Sequence, residues 1–128
     1  MRLIYLITFI MLVSHHATYS QQYDNIWIFG YSNDTPSELT GGTILDFSGD
    51  TLDVYPQNTN MDIQRTNASI CDTAGNLFFY TNGIHINNGE FEVMQNGMGL
   101  NPSQFNEGYS NTGLPTVQGA LALPGPEK

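Results

Sequence analysis

The sequence predicts an all-β protein. Short apolar runs recur along the chain, and clusters of Gly, Asn, Asp and Ser separate them, as in proteins built from short strands and tight turns. After residue 20 no stretch keeps an apolar i, i+3, i+4, i+7 spacing for three turns, so we expect no helix there. The predicted strands are Ile26–Phe29, Thr43–Ser48, Thr51–Tyr55, Asn67–Cys71, Leu77–Thr81, Ile84–Asn87, Glu90–Met94 and Val117–Leu123.

Residues 1–20 have the three parts of a cleavable secretory signal. Arg2 supplies the basic start, and the uncharged apolar run that follows, Leu3–Val13, has 11 residues. A membrane-spanning helix needs roughly 20 residues, so this run fits a signal core better than an anchor. Small side chains at Thr18 and Ser20 favour cleavage before Gln21. We therefore expect a secreted or cell-surface protein whose mature chain has no membrane anchor.

The charge of the mature chain restricts its partners. Removal of residues 1–20 leaves two cations, Arg65 and Lys128, against 12 carboxylates, a net charge of −10. Two cations cannot neutralise a phosphate backbone, which excludes nucleic acid, and the acidity leaves divalent cations or basic partners as possible ligands. A protein or glycan at the cell surface is the expected partner. The lone cysteine, Cys71, cannot form an internal disulfide, and we expect it to be buried. His85 is the only histidine after residue 20, so a histidine-cluster zinc site is not expected.

Three tight-turn signals join the four predicted strands between residues 67 and 94 into an antiparallel meander. They are Asp72–Gly75, Asn82-Gly83 and Asn88-Gly89. We expect Gly83 to need a positive φ, and we derive no such need for Gly113, which lies in a long loop.

Two-residue loops at the Asn-Gly signals would pair Phe79 with Ile86, and Ile86 with Phe91. The register of the first strand stays open, because a two-residue loop puts Ile70 on the apolar face and a bulge at Gly75 puts Cys71 there. The predicted apolar face comprises Leu77, Phe79, Ile84, Ile86, Phe91 and Val93, and the more polar face comprises Phe78, Tyr80, His85, Asn87, Glu90, Glu92 and Met94.

A separate hairpin precedes the meander. A two-residue turn at Gly49-Asp50 pairs Leu45 with Val54 in an apolar stripe and sets Asp46 opposite Asp53. Like charges opposed in a sheet destabilise it. Solvent screening, one shared proton with a raised pKa, or a bound calcium ion would relieve the repulsion. Calcium at Asp46 and Asp53 is the one metal hypothesis that the sequence supports, and we otherwise expect no cofactor.

The meander has the size of one β-propeller blade, and a blade needs neighbours on both faces. The last predicted strand, Val117–Leu123, has no later partner. The sequence therefore predicts a truncated β-propeller, in which residues 21–128 are the N-terminal part of a propeller-like extracellular domain, incomplete at its C-terminus. Expressed alone, this part should fold poorly or self-associate. A small β-sandwich is the alternative.

Several short motifs follow one another in order between residues 25 and 124. They are Asn25–Gly30, Leu45–Gly49, Ala68–Asp72 with Gly75–Gly83, Val93-Met94 with Asn96-Gly97, and Gln118–Pro124. Their order and spacing resemble the N-terminal β-propeller-like region of exported gliding-motility-associated proteins, which carry a type B sorting domain for type IX secretion. The chain itself contains no sorting domain and no adhesive repeats. The resemblance implies a cell-surface scaffold or binding role and supplies no catalytic residues.

Two groups of side chains are candidates for a site. His85 would lie between Tyr80 and Glu92, either as an imidazole oriented by a carboxylate or as a half-exposed cross-strand residue. Trp27, Phe29 and Tyr31 alternate along one strand. They would form a carbohydrate-stacking platform, or else pack into the core or close a propeller.

No nucleotide-binding loop, nucleophile elbow or Cys/His pair with metal-ligand spacing occurs in the sequence. The sequence thus predicts a non-enzymatic, secreted scaffold or binding domain of a larger exported protein. The alternative is the N-terminal part of an exported polysaccharide-acting propeller enzyme whose active site lies outside this chain.

Overall fold

The chain is all-β, as the sequence predicts. A computed structural model describes residues 21–30, 41–110 and 112–125. These residues form two antiparallel three-stranded sheets. Sheet 1 comprises β1 (Ile26–Gly30), β2 (Gly42–Asp46) and β3 (Asp53–Gln57), and sheet 2 comprises β4 (Ala68–Cys71), β5 (Leu77–Thr81) and β6 (Ile86–Asn88). The predicted signal peptide lies outside the described residues and stays a prediction.

Sheet 1 has the predicted hairpin register, but the predicted two-residue turn is wrong, because the ladder ends at Asp46 and Asp53 and neither Gly49 nor Asp50 has a positive φ. Leu45 pairs with Val54, and Asp46 pairs with Asp53. The alternate side chains Ile28 and Ile44 are buried, with 3% and 2% of their surfaces exposed. The core therefore lies on the Asp46 side of this sheet, and the apolar stripe that contains Val54 faces outward.

Sheet 2 differs from the predicted register. Phe79 pairs with Asn88, and Thr81 pairs with Ile86, so the loop from Asn82 to His85 has two more residues than predicted. The reason is the Asn82 side chain, whose Oδ1 accepts hydrogen bonds from the backbone N–H groups of Ile84 (3.0 Å) and His85 (2.9 Å). These bonds stabilise a wider loop in which Gly83 has the expected positive φ and Asn82 does not.

The turn at Asn88 is also wider than predicted. The backbone N–H of Asn88 donates to the carbonyl of Glu92 at 2.8 Å. The residue with left-handed backbone conformation is Phe91, with φ 65°, and not Gly89. Asn88 Oδ1 accepts from the N–H groups of Glu90 and Glu92 and holds this turn together. The predicted strand Glu90–Met94 is consequently wrong, since it contributes one isolated bridge, Asn87 to Val93.

The turn at Asp72 has the same construction. Gly75 donates its N–H to the Asp72 carbonyl at 3.0 Å and has φ 86°. Asp72 Oδ1 accepts from the N–H groups of Ala74 and Asn76. A bulge between Ile70 and Cys71 lets both residues turn inward, so both alternatives for the first strand occur together.

The hydrophobic core joins both sheets to the segment that connects them. Its buried cluster contains Ile28, Ile44, Met61, Ile63 and Tyr80. Tyr80 and Asn87 of sheet 2, from the face that we predicted to be the more polar one, are buried together with Ile70, Cys71 and Thr81. Tyr80 and Asn87 can be buried because the Tyr80 hydroxyl and Asn87 Nδ2 bond to each other and to the Thr59 carbonyl of the connecting segment.

The C-terminal third contains two further departures from prediction. A short helix, α1 (Gln104–Glu107), follows Ser103, whose Oγ accepts the N–H of Asn106 at 3.1 Å; the expectation of no helix is wrong here. The predicted strand Val117–Leu123 does not form, and both of its named end residues are exposed. The described residues therefore show two three-stranded sheets rather than a four-stranded blade.

Candidate functional site

The outer side of sheet 1 carries an exposed group of aromatic rings. Strand alternation turns Trp27 and Phe29 away from the core, with exposed fractions of 46% and 41%. Phe47, just past the end of β2, lies beside Trp27 with ring centroids 5.5 Å apart, and Phe29 lies 6.2 Å from Trp27. We call Trp27, Phe29 and Phe47 the aromatic face. Of the three roles predicted for these rings, packing into the core is wrong for Trp27 and Phe29. Tyr31 lies outside the described residues.

An open cleft of about 760 Å³ lies beside the aromatic face. Trp27 and Phe29 line one part of it, and the rest of the lining combines polar residues, Arg65, Asn67, Ser69 and Gln118, with small or apolar ones such as Val117 and Leu121. Small-molecule sites typically have volumes of roughly 300–1,000 Å³ and combine aromatic walls with a few polar groups. The cleft can therefore stack a flat apolar surface on its rings and offer hydrogen bonds from its polar side chains.

The predicted carboxylate pair is present. Asp46 and Asp53 are directly opposed across β2 and β3. Asp46 Oδ1 accepts hydrogen bonds from Ser48 Oγ at 2.6 Å and Ser48 N at 2.9 Å, and these bonds lower the pKa of Asp46. A lowered pKa argues against a proton shared with Asp53. Solvent screening or a bound cation then remains to relieve the repulsion between the two carboxylates.

The described residues contain no group of three or more His, Cys, Asp or Glu side chains that could hold a metal ion. Calcium at Asp46 and Asp53 stays a prediction, and carbonyl or water oxygens would have to supply most of the six to eight ligands.

A second cleft, of about 830 Å³, extends from the Asp46 side of sheet 1 to the turns of sheet 2. Its lining includes Asp46, Asp72 and Glu90 together with Tyr55. Burial raises the pKa of Tyr55, and the charges of Asp46 and Asp53 raise it further. Sequence reasoning missed this convergence, because it depends on how one sheet packs against the other.

His85 does not have the predicted surroundings. It lies at the end of the Asn82 loop, where Thr81 Oγ1 donates to its backbone carbonyl, and not at a paired position between Tyr80 and Glu92. Burial lowers the pKa of His85, which favours the neutral imidazole at pH 7. The predicted juxtaposition of imidazole and carboxylate is therefore wrong.

Cys71 is buried, as predicted, and serves the packing between the sheets. Its Sγ accepts the backbone N–H of Ile26 at 3.2 Å, which links β4 to β1. Burial raises the pKa of the thiol, so it stays protonated and unreactive at neutral pH.

Together these features define an antiparallel all-β protein with an aromatic face on one sheet and two open clefts. Neither a scan of protein-family models nor searches of curated proteins and solved structures find a match to the chain. None of the helices in the part that the structure describes has the length and apolar character needed to cross a membrane.

Proposed function

We propose that the chain is part of a secreted, non-enzymatic binding domain whose contact surface is the aromatic face with its adjoining cleft. The exposure of Trp27, Phe29 and Phe47 carries this proposal, because three contacting rings rarely stay exposed on a soluble protein without a partner. Aromatic residues are also enriched in binding surfaces, where they give much contact area at little entropic cost.

The partner is a protein or a glycan of the cell surface. Exposed rings pack equally well against apolar side chains and against the apolar faces of sugar rings. Arg65, Asn67 and Gln118 supply hydrogen-bond donors beside them. The motif order supports a place within a larger propeller-like scaffold protein exported by the type IX route.

The single tryptophan makes this proposal testable. Trp27 is the only tryptophan of the chain, so its fluorescence reports directly on the aromatic face. Titration with a panel of bacterial and plant polysaccharides should change the emission of the wild-type chain. Phe29→Ser should weaken that response, because it removes a ring next to Trp27. Phe105→Ser, which removes a ring that is 62% exposed and lies on α1, should leave it unchanged.

Self-association tests the protein-partner arm. If the aromatic face binds apolar protein surfaces, the wild-type chain should associate with rising concentration in sedimentation velocity experiments, and Phe29→Ser should reduce this association. The proposed surface would be contradicted if wild type, Phe29→Ser and Phe105→Ser all responded alike to sugars and associated to the same extent.

Export is tested separately. Expression of the full chain in a Gram-negative host should give exported protein whose first residue is Gln21, as read by N-terminal sequencing. Retention of residues 1–20 in the exported product would contradict the cleaved signal.

A further inference from the structure

Three Asn-Gly dipeptides lie close together in the chain, at Asn82, Asn88 and Asn96. In such a dipeptide the glycine nitrogen can attack Cγ of the asparagine, and the absent Cβ of glycine leaves that approach unhindered. The Cγ–Nδ2 bond breaks, ammonia leaves and a succinimide forms. Water then opens the ring at either carbonyl and gives aspartate or isoaspartate, so water is the only co-reactant. An unfolded chain would expose all three dipeptides alike.

The fold blocks this reaction at Asn82. The residue is 1% exposed, and its Nδ2 donates to the Asp62 carbonyl at 3.0 Å. Its Oδ1 accepts two backbone N–H groups of the following loop. The attacking nitrogen, that of Gly83, donates to Thr81 Oγ1 at 2.9 Å. Both the electrophile and the nucleophile would have to leave their hydrogen bonds before they could react.

Asn96 has the opposite surroundings. It is exposed, and its side-chain amide makes no hydrogen bond with the described residues. The nucleophile is restrained much as it is at Asn82, since Gly97 is buried and its N–H donates to the Met94 carbonyl at 2.8 Å. The two sites therefore differ at the electrophile, because no described residue holds the Asn96 side chain. Asn88 is intermediate, since it is half-buried and its Oδ1 accepts two N–H groups.

We propose that Asn96 is a site of spontaneous modification, at which the protein forms aspartate and isoaspartate while Asn82 stays intact. The product affects the sheet. Gly97 O accepts the N–H of Ile86 at 2.7 Å, and Met94 donates to the Ile86 carbonyl at 3.0 Å, so this turn is bonded to β6. An isoaspartate adds one main-chain carbon between residues 96 and 97. The two bonds to Ile86 cannot then both keep their geometry, and the turn detaches from β6.

The experiment follows each dipeptide in the full chain. The protein is incubated at mildly alkaline pH and then digested with a protease that cleaves after glutamate. Cleavage after Glu92 and Glu107 isolates Asn96 in the peptide 93–107, apart from Asn82. Asn82 and Asn88 share the peptide 39–90, so tandem mass spectrometry assigns each replacement of NH₂ by OH to its residue. An isoaspartyl methyltransferase detects isoaspartate.

We expect Asn96 to react at least about tenfold faster than Asn82 in the folded chain, because Asn82 must wait for local opening. In concentrated urea the two rates should become similar. Asn96→Gln should remove the rapid signal from peptide 93–107. Similar rates in the folded chain, or a rate ratio that urea does not change, would overturn the proposal.

Discussion

Removal of the Tyr80 hydroxyl should destabilise the protein more than removal of the hydroxyl from any other tyrosine that the structure describes. Tyr80 is 1% exposed and belongs to the core cluster. Its hydroxyl donates to the Thr59 carbonyl and accepts from Asn87 Nδ2, which lies 2.9 Å away. Tyr80→Phe keeps the ring and its packing, so the variant tests these hydrogen bonds alone.

The structure gives the expected magnitude. Without the hydroxyl, Asn87 Nδ2 keeps only a 3.4 Å contact with the Thr59 carbonyl, and Asn87 Oδ1 already has no partner among the described residues. A buried polar group that loses its partner costs about 1–3 kcal/mol. Two groups are weakened here, so we expect the free energy of unfolding to fall by about 2–3 kcal/mol. For a domain of this size the melting temperature should fall by about 10–15 °C.

Urea unfolding measures this loss of stability. The protein is kept at low micromolar concentration, and unfolding is followed by Trp27 fluorescence and circular dichroism. Tyr55→Phe is the matched control, because Tyr55 is 41% exposed and should change the free energy of unfolding by less than about 0.5 kcal/mol. The midpoint should shift in Tyr80→Phe with an unchanged slope. Equal midpoints for the two variants would refute the buried network.

Three further outcomes are expected. Burial raises the pKa of Tyr80 to about 12. The stability that the neutral hydroxyl contributes is therefore complete below about pH 10 and is lost as the pH rises towards 12. Between these pH values the urea midpoint of Tyr80→Phe should fall less than that of wild type. Gly99→Ala should lower the free energy of unfolding by about 1 kcal/mol, which is the strain of its positive φ. Gly83→Ala should lower it by about 1–3 kcal/mol more, because the added Cβ would lie 2.6 Å from Leu114 Cδ1. Equal melting temperatures for the two variants would argue against this packing. If a bound calcium ion, rather than solvent screening, relieves the repulsion between Asp46 and Asp53, calcium should give binding heat in calorimetry with wild type and less with Asp53→Asn; no heat, or identical heats, would end the calcium hypothesis.

The sequence was sufficient for the register of the β2–β3 hairpin because these strands are neighbours in the chain and the alternation of their apolar residues specifies one register. The loop between them, residues 47–52, is longer than the predicted two-residue turn, and the pairing of β1 with β2 was not predicted. The opposition of Asp46 and Asp53 follows directly and is confirmed.

The register of sheet 2 could not be predicted because asparagine has two uses in a turn. It can adopt the left-handed conformation itself, as in a two-residue Asn-Gly hairpin, or its side chain can accept backbone N–H groups. Asn82 and Asn88 take the second course, and each loop becomes wider. An Asn-Gly dipeptide is compatible with either use, so the sequence alone does not show which turn forms.

Long-range packing decided what the local pattern left open. The predicted polar face of sheet 2 is buried because Thr59, from a distant segment, offers its carbonyl to Tyr80 and Asn87. Gly113 likewise has φ 75°, and its Cβ would lie 2.8 Å from Asn82 Cβ, a demand that the loop sequence does not show. The expectation that Gly113 is conformationally undemanding is therefore wrong.

The surfaces of sheet 1 indicate how a partner would bind. A new strand could add along β3, which is an edge strand among the described residues, or a partner could cover the aromatic face. The edge strand contains Pro56, which has no N–H to donate, and it begins at Asp53; proline and charge are two devices that discourage edge-to-edge pairing. The face instead offers Trp27 and Phe29 beside a cleft with polar groups. We therefore infer that contact occurs across the face of the sheet, where side chains decide specificity, and not along its backbone edge.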